Sequence, residues 1–162
     1  MNSKETGHDN KDFEILRFLQ KNPRMSIAEL ARKIGMSNPA AKERVRRLEK
    51  NGSIVGYRLD LDPKAFGHDV TAFVRIRPLP GRLAKIAALA RRIPEVVECH
   101  RITGEDCFIL KVHLPGLGSL DRVVDRFLVH GQTTTSIVQS SPVPPRSPPL
   151  PARSLRARIK RA

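Results

Sequence analysis

The stretch ELARKIGMSNPAAKERVRRLEKNG, Glu29 to Gly52, places Lys42, Arg44, Arg46, Arg47 and Lys50 within nine residues. Cations at helical spacing hold anions, and an arginine fork pairs with two acceptors at once, on a phosphate or on a guanine edge. A basic run alone is equally a solvated helix face, so the intervening residues decide. Ala41, Val45 and Leu48 recur at helical spacing and form an inward stripe. Asn38, Lys42, Glu43 and Arg46 then lie on the opposite side, where side chains can read base edges. Arg44 and Arg47 flank that face and suit phosphates. Ser37 and the free amides at the helix start suit a phosphate as well, and Arg58, further on, can reach the neighbouring backbone.

Other chemistries find less support. Cys99, His100, Cys107 and His113 are potential metal ligands, but neighbours on a strand point to opposite faces, and no CxxC or HxxxH spacing exists. No metal site is expected. Without a nucleophile motif or a phosphate-cradling glycine loop, no catalytic residues, cofactor or enzyme activity are expected either. Cys99 and Cys107 fall on two strands turning near Gly104-Glu105. That turn sets Cys107 opposite Ile102, so no disulfide is expected, in keeping with a reducing compartment.

The 162 residues carry a formal charge of +14, of which +6 belongs to residues 142–162 and +8 to the rest. Such an excess selects an anionic partner, double-stranded DNA before a membrane surface. Hydrophobic residues make up 40% and aromatics only 4%, so the core must be aliphatic. No apolar run is long enough to span a bilayer, and MNSKETGHDNKD lacks the apolar segment of a signal peptide; a cytoplasmic location is expected.

The basic helix needs elements to position it. Phe13, Leu16 and Leu19 predict a helix that stops at Asn22-Pro23. Ser26-Ile-Ala-Glu29 has the capping-box pattern, in which the hydroxyl takes one free amide and Glu29 reaches back to another. It opens a short helix with Ile27, Leu30, Ala31 and Ile34 inward, and Gly35 permits a sharp exit. Ser37 caps the third helix, Pro39 is tolerated in its first turn, and Asn51-Gly52 closes it. A helix that ends at Gly35 and restarts at Ser37 is a helix-turn-helix. Two short extended pieces flanking Gly56 in Ser53–Asp60 would add a wing.

After a linker over 61–69 the rhythm changes. Val70–Arg77 alternates as a strand, Gly81–Arg92 is helical, Val96–Thr103 and Cys107–Leu114 are strands, Leu120–Leu128 is helical, and Thr133–Ser141 is a β-branched strand. The order βαββαβ predicts a ferredoxin-like domain over 70–141 with both helices on one face. Phe73, Val97, Cys99 and Ile109 would make an apolar uncovered face suited to a partner. The expected fold is therefore α+β, a winged helix-turn-helix over 9–60 followed by the ferredoxin-like domain. Residues 142–162, with six prolines and six basic residues, are expected to be a disordered tail whose end, Arg153–Arg161, can form a basic helix on an anion.

SIAELARKIGMS, RVRRLEKNGSIVGY, LDP, GHDVTAFV, PEVVECHRITGEDCFILKV, LDRVVDRF and TTTSIVQS, in that order, resemble the Lrp/AsnC family of transcription regulators over 9–141. The resemblance implies a DNA-binding domain joined to an effector-sensing, oligomerising one. It further implies homodimers that assemble to tetramers or octamers, and an amino acid or related metabolite bound between subunits. Thr103-Gly104-Glu105-Asp106 matches the family's effector loop. There Gly104 allows close approach to the backbone, Asp106 can accept from an ammonium group, and Thr133, Thr135 and Ser136 can bind a carboxylate or side chain. Arg101 is a further partner for a carboxylate. The tail after Pro142 extends beyond the usual end. Two alternatives stand beside a ligand-responsive regulator: an effector-independent architectural DNA-binding protein, and a tetrapyrrole decarboxylase on the same architecture. The second would sit poorly with so basic a third helix.

Overall fold

The computed structural model describes residues 7–151. Two compact units are present: one runs up to Leu59 and takes in the chain again from Pro145, and the other is Asp60–Pro144.

The first unit holds three helices, α1 (Asn10–Lys21), α2 (Ile27–Ile34) and α3 (Asn38–Lys50). Their apolar stripes meet in a core of Ile15, Leu19, Leu30, Ala31, Ile34, Ala41, Val45 and Leu48, all aliphatic. Each helix starts on a side-chain cap that takes a free amide: Asp9 for α1, Ser26 for α2 and Ser37 for α3. The reciprocal capping box lies at Asp9 and Asp12 on α1. At α2, Ser26 Oγ accepts from the Glu29 amide at 3.1 Å, while the Glu29 carboxylate lies 3.6 Å from Lys33 Nζ. Lys11 Nζ donates to the Ile34 carbonyl at 2.7 Å and so satisfies an orphan acceptor at the C-terminal end of α2.

The expected wing is chain without a ladder: among the described residues, 53–62 contain no strand. Its start is tied down instead by Ser53 and Ile54 amides on the Leu48 carbonyl and by Tyr57 Oη donating to Glu49 at 3.0 Å. Within 61–69, Pro63–Phe66 forms a single 3-10 turn capped by Asp62.

The second unit runs β1 (Val70–Pro78), α4 (Leu83–Arg92), β2 (Val96–Arg101), β3 (Phe108–Leu114), α5 (Leu117–Leu128) and β4 (Gly131–Ile137). The sheet is antiparallel in the order β2-β3-β1-β4. Ala72, Val74 and Ile76 of β1, with Phe108, Leu110, Val112 and Leu114 of β3, bury one face against Ile86 and Ala90 of α4 and Leu120, Val123 and Phe127 of α5. This is the ferredoxin-like arrangement with both helices on one side.

The other face differs from the expected apolar surface. A bulge between Val96 and Glu98 shifts the β2 register, so Cys99 lies opposite Leu110 and joins the helix side. The outer face keeps Phe73 and Ile109, but among Glu98, Lys111, Arg75 and the Thr71–His113 pair, whose Oγ1 and Nδ1 are 2.9 Å apart. Period-two alternation assumes an unbroken strand, and one extra residue reverses every side chain beyond it. Ile102 and Cys107 share a backbone bond of 3.0 Å, and both cysteines are free thiols.

Candidate nucleic-acid interface and effector loop

The turn between α2 and α3 is built from backbone. Gly35 adopts φ 64°, ψ 48°, a left-handed conformation that costs a Cβ-bearing residue about 1 kcal/mol. Its position lets the Met36 amide reach back to the Ala31 carbonyl at 2.9 Å, closing α2. Ser37 Oγ then accepts from the Ala40 amide at 3.4 Å and starts α3. Ala41, Val45 and Leu48 are buried as expected, and Asn38, Lys42, Glu43 and Arg46 are exposed.

Two of those exposed residues are joined. Arg46 Nε and Nη2 donate to the two Glu43 oxygens at 2.8 and 2.7 Å, one turn apart on α3. The Arg46 hydrogen bond holds the Glu43 carboxyl below its ordinary value, and Glu43 raises the arginine in turn.

Arg44 and Arg47, expected at phosphates, are engaged within the protein. Asp12 on α1 is 1% exposed and receives both: Arg44 Nη1 at 2.9 Å, and Arg47 Nη2 at 2.8 and 2.9 Å. Arg44 Nη1 also donates to Asp9 Oδ2 at 2.7 Å. The Asp9 carboxylate works against its partial burial, and the Arg44 hydrogen bond and the Asp12 amide outweigh that, holding it below the usual value. His8 closes the cluster, with Nδ1 3.9 Å from Asp12 and Nε2 3.0 Å from Ser53 Oγ. A buried carboxylate shared by two guanidinium groups fixes the rotation of α3 on α1, because only one rotation brings both forks onto the same two oxygens. Sequence reasoning missed this cluster. Its only trace is a pair of acids three residues apart before an apolar stripe, and their partners lie 32 and 35 residues away. Half of the Arg47 side chain stays exposed, at 53%. Arg58 makes contacts of its own within the described residues.

In the second unit the loop between β2 and β3 carries Gly104 at φ 111°. Its two acids meet arginines of β1 that the sequence did not single out: Glu105 pairs with Arg77, and Asp106 Oδ2 lies 3.8 Å from Arg75 Nε. The β4 residues divide. Thr133 and Thr135 pair with Ile76 and Val74 on the helix side, whereas Ser136 pairs with Phe73 and Thr134 with Arg75 on the outer side. The β4 hydroxyls that share a face with the Arg75–Asp106 pair are therefore Thr134 and Ser136. Arg101 lies with its guanidinium 5.6 Å from the Phe108 ring centre, on the helix side. Among the described residues no group of three or more His, Cys, Asp or Glu side chains is placed to hold a metal ion, and no helix is long and apolar enough to cross a membrane.

A glycine-turned helix pair with a clamped basic third helix defines a helix-turn-helix DNA-binding protein, here coupled to a ferredoxin-like sheet. Residues 8–55 match the winged helix-turn-helix DNA-binding family, and residues 71–148 match the Lrp/AsnC ligand binding domain. The transcriptional regulator YezC of Bacillus subtilis is 38% identical over 133 residues, which span 82% of this chain and 94% of YezC. Among solved structures, LrpC of B. subtilis superposes with a TM-score of 0.79 at 31% identity, covering 83% of this chain and 96% of LrpC. The feast or famine regulatory protein of Mycobacterium tuberculosis, complexed with L-methionine, gives 0.80 at 32% identity, covering 86% and 97%. The chain belongs to the Lrp/AsnC family of transcriptional regulators.

Proposed function

We propose that this DNA-binding transcriptional regulator reads its site through α3 and answers to an amino acid bound at the 103–106 loop. Asn38, Lys42 and Arg46 face base edges, with Arg46 leaving Glu43 for guanine O6 and N7 and Glu43 free to accept from cytosine. Ser37 and the free amides of α3 hold a phosphate, the exposed part of Arg47 and Arg58 hold others, and Arg44 serves by keeping α3 in place. The observation that carries the reading is the Asp12 clamp: it commits the inner arginines of α3 to the protein and leaves Arg46 outward on a fixed helix.

The effector reading is supported by the L-methionine complex of the mycobacterial relative. Asp106, held only at 3.8 Å by Arg75, exchanges that partner for a ligand ammonium group, and Arg75 is then released to the ligand carboxylate beside Thr134 and Ser136. The chain acts in the cytoplasm as a homodimer, assembling further to a tetramer or octamer, with residues 9–60 binding DNA and 70–141 sensing and assembling. It has no enzyme activity. A ligand shifts such an assembly only if it prefers one arrangement of subunits.

Selection of bound duplexes from a random pool, followed by a calorimetric screen of amino acids, tests both halves. One enriched motif and an amino acid whose binding changes DNA affinity are the expected results. Enrichment of no motif would favour the architectural alternative, and equal binding of the amino acid to Asp106→Ala would overturn the site.

A further inference from the structure

We infer that the outer face of α4, in the sheet unit, is a second DNA-contacting surface that meets the phosphate backbone without reading sequence. The helix has Arg82 at its N-terminal boundary and Lys85, Arg91 and Arg92 within it. Lys85, Arg91 and Arg92 are exposed, and Arg82 is half-buried. Alone among the α-helices of the described residues, α4 contains no acid, and none occurs between Asp69 and Glu95. Elsewhere in this unit cations are matched to carboxylates: Arg75 to Asp106, Arg77 to Glu105 and Lys111 to Glu98. Among the described residues no carboxylate pairs with any of the four cations of α4. Asp60–Pro144 holds eleven basic and nine acidic residues, so the positive excess of the unit sits on this one helix. A second acid-free basic run, Arg153–Arg161, lies outside the described residues.

Folding does not account for these cations. Ile86 and Ala90 bury the inner face of α4 without them. Arg91 and Arg92 lie in the last turn, where a cation complements the helix dipole. Arg82 and Lys85 lie at the other end, where the dipole opposes them. That end has no side-chain cap and no acid in its first turn. Local rules broken with no gain in stability mark a surface that serves binding. The pattern suits a polyanion. Lys85 and Arg92 are two turns apart on one side of the helix, and the exposed Ala84 and Ala88 keep the surface around them low. Ten residues of helix run about 15 Å, and duplex DNA carries one charge per about 1.7 Å of its axis, so several phosphates fit alongside. DNA is the polyanion that this chain already binds. Its recognition helix commits Arg44, Arg46 and Arg47 to carboxylates of the protein, so cations on the second unit add backbone contacts that α3 does not supply. The competing occupants are an acidic face of a second copy, such as the exposed Asp121 and Asp125 of α5, and an anionic membrane.

The test is the salt dependence of DNA binding by the full chain and three variants, on long duplexes of preferred and of random sequence. In the first variant Arg82, Lys85, Arg91 and Arg92 are all changed to Gln. The slope of log K against log salt should fall by about 0.9 for each phosphate released, at least about 2 in all. Both duplexes should weaken equally, since no base contact is lost. In the second, Arg82→Lys, Arg91→Lys and Arg92→Lys keep the charge and should keep the slope, because a phosphate accepts a lysine as a point charge. In the third, Arg82→Ser with Lys85→Glu writes a capping box at the start of α4. It should raise the unfolding midpoint of the sheet unit while weakening both duplexes, a pair of opposite signs that a folding defect does not produce. An unchanged slope in the Gln variant overturns the proposal. Oligomers of that variant that come apart in sedimentation, with the DNA slope intact, would give α4 to a second copy. Loss of binding to vesicles of anionic lipid, again with the slope intact, would give it to a membrane, and either result equally overturns the DNA surface.

Discussion

The two units hold their carboxylates in opposite ways. In the helical unit Asp12 is 1% exposed and takes three hydrogen bonds from two arginines, all under 3 Å. In the sheet unit Asp106 is 25% exposed and faces a single guanidinium at 3.8 Å. A desolvated, fully bonded carboxylate is a fixture, since losing any partner leaves a buried charge unsatisfied. A half-wet pair at the edge of bonding distance contributes little to stability and exchanges partners readily. The same residue type thus positions a helix in one unit and is left with an exchangeable partner in the other.

The contrast can be broken by substitution. Asp12→Ala should cost about 3 kcal/mol of stability, because it removes the buried acceptor shared by Arg44 and Arg47, leaves Arg44 with Asp9 alone and removes half of the α1 capping box. Chemical denaturation would show it, and a loss under about 1 kcal/mol would mean that the cluster is incidental. Double-mutant cycles sharpen the comparison: Asp12 with Arg44 should couple by about 1.5–3 kcal/mol, and Asp106 with Arg75 by less than about 0.5 kcal/mol. Comparable couplings would erase the distinction. Arg46→Ala should leave stability within about 0.5 kcal/mol, yet cost about 1–3 kcal/mol on the preferred duplex and little on random DNA. Equal losses on both would show that Arg46 meets phosphate rather than a base.

The smallest effect separates the units by pH. Burial, helped by Lys111 and His68, lowers the His113 pKa below its ordinary 6.5. A base depressed in the folded state binds more protons when unfolded, so the sheet unit should lose stability as pH falls from about 6.5 through the folded value. Asp9 is also lowered, from 3.8, and its contribution is lost only below that. A mild decline in the sheet unit below about pH 6.5, absent in His113→Gln, is expected from denaturation followed by amide exchange.

Much of the architecture was legible because its signals are local. Ala41, Val45 and Leu48 on α3, or Ala72, Val74 and Ile76 on β1, write their burial into their spacing. The Gly35 turn and the Ser37 cap are equally local. What escaped depends on chain that is distant in sequence. Arg44 and Arg47 look identical to phosphate-binding arginines until Asp12 is folded against them. Cys99 changes face because of one extra residue upstream. Thr133 and Thr135 fall on the helix side through the β4 register with β1, which no property of β4 itself reveals. The bonds that Gln20 and Arg17 of α1 donate to the Pro148 and Pro151 carbonyls were hidden by composition, since a proline-rich tail reads the same whether or not α1 offers donors at matching intervals.

The Glu43–Arg46 pair has a consequence for how the protein travels. A repressor or activator must pass over vast stretches of wrong sequence, and every strong base contact made there is time spent in the wrong place. Because Arg46 carries its own counter-charge, under the proposed base contact an incorrect base pair would meet a guanidinium already partnered and offer little gain for opening it. Only a step presenting two well-aligned acceptors repays the rupture. A clasp this exposed, with side chains at 61% and 62%, contributes little, so under the proposed base contact it sets a low threshold on residence, enough to favour sliding on phosphate contacts over pausing where acceptors are poorly aligned.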